Sequence, residues 1–128
     1  MNKYIIDSYA WIEYLDGSDS GLKVREILMG DAEVFTVSIS VAEVVSRTKR
    51  RQKDVDVAYN TIIRNSKIVD VNEELGREAG IQHAEIRAKI KDFGLADALI
   101  LTAARKLGAK ILTGDPHFRS FRETVLIK

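Results

Sequence analysis

The stretch GLADALILTAARKLGAKILTGDPHF, residues 94–118, decides the fold of this chain. Its apolar and alanine-rich positions predict a buried helix from about Ala96 to Leu107, and Gly108 is a normal C-terminal stop for a helix. The segment Lys110–Thr113 then predicts a strand that ends in a Gly-Asp-Pro turn. A long helix followed at once by an apolar strand is typical of a sheet whose strands are joined by crossover helices.

The same alternation of strand and helix continues outward from this stretch. Apolar runs predict four more strands, and helical spacing of apolar residues predicts helices between them. The strands are predicted at Tyr4–Ile6, Val34–Val37, Ile68–Val71 and Val125–Ile127, and Asp7, Ser40 and Asn72 are predicted helix caps. Because parallel strands need long crossovers, this order predicts an α/β fold with a central, mostly parallel sheet of four to five strands between two helical layers.

Composition narrows the class of protein. The 128 residues carry 45% hydrophobic residues, a formal net charge of +1 and no cysteine. We expect residues 1–128 to form one globular domain, and the lack of a long apolar run or signal peptide predicts no membrane contact and a cytoplasmic location. Without cysteine, and with His83 and His117 far apart, a thiolate or zinc-finger site is excluded, so oxygen ligands are expected for any metal.

Four acidic side chains stand at the ends of predicted elements. Asp7 and Asp115 follow strands, Asp97 lies near a helix start, and Glu43 lies early in a helix entered from a strand. Sites in α/β folds form beyond the carboxyl ends of the strands, where these acids could meet. Carboxylates that meet repel one another, so such a pocket predicts a bound cation, with Mg²⁺ or Mn²⁺ as candidates. Taken singly, each acid is better explained as a helix cap or strand end.

The segments YIIDSYAWIEYL, SVAEVVSR and GLADALILTAARKLGAKILTGDPHF, in this order, resemble the PIN-domain family, and within it the VapC type of toxin. The resemblance spans Tyr4 to Phe118. It implies a three-layer α/β/α fold and a metal-dependent ribonuclease, with Asp7, Glu43 and Asp97 as the core acidic triad. The family's fourth acid, in a T-x-D segment after the fourth strand, falls on Asp115.

The same resemblance marks three neighbours of these acids. The hydroxyls of Ser8 and Thr113 match positions that can hydrogen-bond a carboxylate or a metal-bound water, although plain capping explains them equally well. His117 departs from the pattern of many relatives, which carry another acidic or polar residue there, and a histidine at this place could touch substrate phosphate. We expect His117 to be a solvated turn residue.

A basic run begins one helical turn after Glu43. It is the densest basic segment of the chain, and its side chains could bind RNA phosphates next to an otherwise repulsive acidic pocket. Two other interpretations stay open: a solvated helix end with cations at its C-terminus, and pairing of Arg47 with Glu43 at i,i+4. The residues predicted to bind RNA are Arg47, Lys49, Arg50 and Arg51.

The resemblance leaves several functions open. The chain could be a toxin ribonuclease neutralised by a small antitoxin, a housekeeping RNA-processing nuclease, or a PIN module that binds RNA or protein without cutting. Small size favours the toxin, which implies an RNA substrate, an antitoxin partner and a homodimer. A phosphorylation-receiver domain is the rival from another class, and it is disfavoured because Asp115 stands where such a domain needs a lysine.

Overall fold

The computed structural model describes residues 2–128, which form five strands in one sheet. The strand order is β3-β2-β1-β4-β5, and every neighbouring pair is parallel. The expected α/β class and the parallel sheet of four to five strands are therefore confirmed. The strands are β1 (Lys3–Ile6), β2 (Glu33–Val37), β3 (Lys67–Val69), β4 (Lys110–Thr113) and β5 (Thr124–Leu126).

Helices cover both faces of this sheet. Successive residues of a strand point to opposite faces, and Ile5 accordingly packs with α5 and α6, whereas Ile6 packs in the cluster that contains residues of α1 to α4. The expected three-layer α/β/α arrangement is confirmed. The helices are α1 (Ser8–Asp16), α2 (Gly21–Met29), α3 (Ser38–Arg50), α4 (Val55–Asn65), α5 (Glu73–Arg87) and α6 (Leu95–Leu107).

Two predicted element ends are wrong. Ser40 is not a helix cap, because α3 begins at Ser38 with no loop after β2, and Ser40 is buried inside the helix. Its hydroxyl has no hydrogen-bond partner among the described residues. The strand predicted to reach Val71 ends at Val69, because its one neighbour, β2, ends opposite that residue.

The topology places the ends of three central strands at one edge. Asp7 follows β1 directly, and Asp115 lies two residues beyond β4, whose Leu112 is in register with Ile6. The carboxyl end of β2 leads straight into α3, which carries Glu43. Parallel strands thus bring distant segments of the chain to the same edge of the sheet. Within residues 2–128, none of the helices has the length and hydropathy of a membrane span.

Candidate active site

A pocket of about 310 Å³ opens at this edge of the sheet. Its walls include all four of the predicted acids, which come from the start of α1, the second turn of α3, the start of α6 and the loop after β4. The structure therefore brings together side chains that are up to 108 positions apart in the sequence. Their catalytic role stays a prediction. The four acids are Asp7, Glu43, Asp97 and Asp115.

Asp7 is the most deeply buried of these acids, with 4% of its surface exposed. It caps α1, and its Oδ1 accepts a hydrogen bond from the backbone N–H of Ala10 at 2.9 Å. Its Oδ2 accepts a hydrogen bond from the Thr113 hydroxyl. Burial raises the pKa of Asp7 from 3.8 to about 7, although these two hydrogen bonds lower it. Asp7 is thus a helix cap and, in the same position, a carboxylate held in a poorly solvated pocket.

Both predicted supporting hydroxyls lie beside an acid of the pocket. Thr113, buried at the end of β4, donates to Asp7 and accepts a hydrogen bond from the backbone N–H of Asp115 at 2.9 Å. One side chain therefore links two of the acids. The Ser8 hydroxyl acts on Glu43: desolvation raises the pKa of the Glu43 carboxyl, and Ser8 lowers it.

Asp97 is the third residue of α6, where its position is set by a capping contact. Its Oδ2 accepts a hydrogen bond from the backbone N–H of Gly94 at 3.0 Å. Partial burial raises the pKa of Asp97, the bond to Gly94 lowers it, and the charge of Asp115 raises it further. The start of α6 thus presents a partly desolvated carboxylate to the pocket.

The ring of His117 faces the acids, which the sequence did not predict. Its Nδ1 lies 3.3 Å from Asp115 Oδ1 and 3.8 Å from Asp97 Oδ2, and its side chain is 36% exposed. His117 is thus a turn residue, as expected, but it is only partly solvated because its ring contacts two carboxylates. Asp115 caps the short 3₁₀ turn Pro116–Phe118 and accepts the backbone N–H of His117 at 2.9 Å. The Asp-Pro-His order, in which an aspartate caps its own turn, was the available signal.

The donor set of this pocket fits a divalent cation. One ligand atom each from Asp97, Asp115 and His117 can be chosen so that all three lie within 4.8 Å of one another. Ligands on opposite sides of an ion such as Mg²⁺, at about 2.1 Å from it, are about 4.2 Å apart, so small side-chain movements would suffice. Asp7 and Glu43 lie in the same pocket outside this group and supply two further carboxylates.

The predicted RNA-binding residues lie in three different settings. Arg47 lines the acidic pocket, and no ion pair joins it to Glu43 within residues 2–128, so the proposed i,i+4 pairing is wrong. Arg51 instead contacts the carboxylate of Asp16 at 3.1 Å. Lys49 and Arg50 are exposed on the last turn of α3.

A smaller cavity of about 160 Å³ adjoins the acidic pocket. It lies between α1, α3 and the start of α4, and it shares Ile12 and Arg47 with the pocket. Its walls are mainly apolar, with Leu15, Val57 and Ala58 among them. The acidic pocket is therefore continuous with an apolar surface.

Comparison with known proteins identifies the family. Residues 4–123 match the sequence profile of the PIN domain, which covers nearly the whole chain. This chain belongs to the PIN-domain family. PIN domains are nucleases that generally use divalent metals, so phosphodiester hydrolysis is the general kind of chemistry for this PIN domain.

Solved structures with the same fold include several toxins. A toxin–antitoxin complex from Klebsiella pneumoniae aligns with a TM-score of 0.76 and 16% identity over 98% of both chains. DNA-bound VapBC from Salmonella typhimurium aligns with a TM-score of 0.76 and 16% identity over 100% of both chains. A sarcin-ricin loop cleaving VapC toxin from Mycobacterium tuberculosis aligns with a TM-score of 0.73 and 16% identity, over 91% of this PIN domain and 93% of the toxin. At such identity the likeness establishes a shared fold. None of the curated proteins matches the sequence at a significant level.

Proposed function

We propose that this PIN domain is a divalent-metal-dependent endoribonuclease that hydrolyses RNA phosphodiester bonds at the acidic pocket. The observation that carries the proposal is the convergence of four carboxylates from four separate segments. The pKa values of Asp7, Glu43 and Asp97 are all raised, with desolvation as the largest cause and neighbouring carboxylates adding to it. A pocket in which several carboxyl groups ionise unfavourably is stabilised by a cation, and binding the cation favours the ionised carboxylates.

Asp97, Asp115, Asp7 and Glu43 are the residues that would hold Mg²⁺ or Mn²⁺. When bound, the ion supplies Lewis acidity, which stabilises negative charge on the scissile phosphate and makes an attacking water more acidic. The chain's own contribution is to orient the carboxylates. Thr113 holds Asp7 and the backbone of Asp115, and the N–H of Gly94 holds Asp97, so these groups need little rearrangement when the site is used.

Arg47 is the residue that we assign to the RNA backbone. It lines the pocket without an ion-pair partner among residues 2–128, so its guanidinium is available to a phosphate. A positive charge at this place offsets the repulsion between the acids and a polyanion, which would otherwise slow association. Lys49 and Arg50, on the exposed last turn of the same helix, would extend the basic surface.

We further propose that residues 1–128 act as one toxin domain of the VapC type, as a homodimer in the cytoplasm, with a small antitoxin as its inhibitor. The features that support an antitoxin are the acidic pocket and the apolar cavity beside it. A peptide that places apolar side chains in the cavity and one basic side chain at the acids would match both surfaces. Such a peptide would also occupy the position of Arg47 and exclude RNA.

The test of the proposed reaction is cleavage of single-stranded RNA by matched variants. Asp97→Asn and Glu43→Gln each keep the shape of the side chain and remove one carboxylate. We expect each to lower the cleavage rate on the order of 10²-fold or more. Glu85→Gln, an exposed change on α5 away from the pocket, is the control and should cut at the wild-type rate. Wild-type rates in both pocket variants would contradict the proposal.

A further inference from the structure

We propose that His117 is a nitrogen ligand of the cation and that it shifts the preference of this site from Mg²⁺ towards transition-metal ions such as Mn²⁺. The inference rests on the proposed metal site and goes beyond it, because it concerns a side chain that is not among the four carboxylates of that site. Its basis is the position of one ring nitrogen. His117 Nδ1 lies 3.3 Å from Asp115 Oδ1 and 3.8 Å from Asp97 Oδ2.

The main chain at His117 is held in place from both sides. Asp115 caps the 3₁₀ turn and accepts the backbone N–H of His117, and Pro116 restricts the backbone between them. On the other side, Phe118 is fully buried and packs edge-to-face on Phe93 at a ring distance of 6.0 Å. The backbone that carries the ring is therefore fixed beside the carboxylates, and only the side chain of His117 has to be ordered when it binds an ion.

The chemistry of the donors leads from this geometry to metal preference. Mg²⁺ takes oxygen ligands and gives up its waters reluctantly, so an imidazole adds little to its binding. Transition-metal ions accept imidazole nitrogen more readily than Mg²⁺ does, and Mn²⁺ is the one among them that most resembles Mg²⁺ in its preference for carboxylate oxygen. Two carboxylates and one imidazole within 4.8 Å of one another thus form a site that favours Mn²⁺ over Mg²⁺.

A protonated His117 that only pairs with Asp115 is the competing explanation for the same contact. In that case the ring acts through its charge, and its removal would change the affinity for both ions by the same factor. As a ligand, the neutral ring binds through Nδ1, and its removal would change the affinity for Mn²⁺ much more than that for Mg²⁺. The two explanations therefore differ in the ratio of the two affinities.

The chain offers a matched control in its other histidine. His83, on α5, lowers the pKa of Asp97 through its charge, as His117 also does. Its nitrogen atoms are not part of the group of converging ligand atoms. His83→Gln therefore removes a charge effect of the same kind on Asp97 without removing the proposed ligand.

The experiment is calorimetric titration of the metal-free protein with MnCl₂ and with MgCl₂, for the wild type, His117→Gln and His83→Gln. We expect His117→Gln to weaken Mn²⁺ binding by about tenfold or more and Mg²⁺ binding far less, while His83→Gln leaves the ratio of the two affinities unchanged. Pulsed electron paramagnetic resonance of the Mn²⁺-loaded protein gives an independent readout. A coupling from directly bound nitrogen should be present in the wild type and in His83→Gln, and absent in His117→Gln.

Several outcomes would overturn the inference, and they separate it from the proposed function. An equal loss of affinity for both ions in His117→Gln, or no nitrogen coupling in the wild type, removes His117 as a ligand even if RNA is cut. Failure of the wild type to bind Mn²⁺ overturns the ligand proposal, and failure to bind either ion overturns both proposals. A nitrogen coupling that His117→Gln abolishes, in a protein that cuts no RNA, supports the ligand and contradicts the ribonuclease.

Discussion

Replacing Asp7 by asparagine separates its role as a helix cap from its role as a charged group in the pocket. Asparagine keeps the shape and still accepts the backbone N–H of Ala10, but it carries no charge. A pKa that rises from 3.8 to about 7 on folding means that the ionised carboxylate destabilises the metal-free protein by roughly 4 kcal/mol at high pH. The Asp7→Asn variant has no charge at this position and therefore lacks this destabilisation.

The pH range follows from the sign of that shift. Because the pKa of Asp7 is raised in the folded state, the penalty is absent below about pH 4, grows as the pH rises towards 7, and is complete above it. The substitution also has a cost. The Asp7 oxygen that accepts a hydrogen bond from the Thr113 hydroxyl becomes an amide nitrogen, and losing this bond lowers the free energy of unfolding by about 1–3 kcal/mol. We expect a net gain of about 1 kcal/mol at pH 8, which raises the melting temperature by roughly 4 °C. At pH 5 the lost hydrogen bond costs more free energy than removal of the Asp7 charge gains, so the variant should melt at a lower temperature than the wild type.

Thermal melts of the metal-free proteins at pH 5 and pH 8, together with an RNA cleavage assay, measure both effects. Asp7→Asn should lose nearly all cleavage and gain less stability from added Mg²⁺ than the wild type does. The control is Asp54→Asn, at the exposed cap of α4, which should change neither cleavage nor the pH dependence of melting. If Asp7→Asn melts below the wild type at pH 8 and still cuts RNA at a comparable rate, Asp7 is a structural cap and the account of the pocket is wrong.

Three further predictions concern the supports of the pocket, its basic rim and its effect in cells. Thr113→Val removes a hydrogen bond that lowers the pKa of Asp7. The pH at which Mg²⁺ binding is half-maximal, measured by calorimetry over a range of pH, should therefore be higher in the variant than in the wild type. An unchanged midpoint would contradict this role of Thr113. Arg47→Gln should weaken RNA binding and reduce the slope of log affinity against log salt by about 1, whereas the exposed Lys91→Gln should leave the slope unchanged. Expression without an antitoxin should arrest growth, and Asp97→Asn should not; robust cleavage in vitro without growth arrest would favour an RNA-processing enzyme.

The sequence predicted the meeting of the four acids for a reason that the structure makes plain. Asp7 follows β1 and Asp115 follows β4, and β1 and β4 are parallel neighbours, so their carboxyl ends necessarily lie together. The helices after β2 and before β4 then bring Glu43 and Asp97 to the same edge. Periodicity and strand ends are local signals, and a parallel sheet converts them into a spatial prediction.

Such local signals do not predict side-chain contacts between segments that are distant in the sequence. The ring of His117 meets Asp97, twenty positions earlier, only because the loop after β4 packs beside the start of α6. Arg51 forms an ion pair with Asp16, 35 positions away, whereas Arg47 of the same basic run has no ion-pair partner among residues 2–128. The absence of a loop between β2 and α3, which displaces Ser40 from a cap into the interior, is likewise a feature of packing.

The dependence of RNA cleavage on a divalent cation tests the central claim most directly. The wild type and Asp97→Asn, purified in parallel, would be given a single-stranded RNA with excess chelator and then with Mg²⁺ or Mn²⁺ added back. We expect wild-type cleavage to stop in chelator and return with the metal, and the variant to cut under neither condition, which excludes a contaminating nuclease. Undiminished wild-type cleavage in excess chelator, with no cleavage in the variant preparation, would contradict a metal-dependent site.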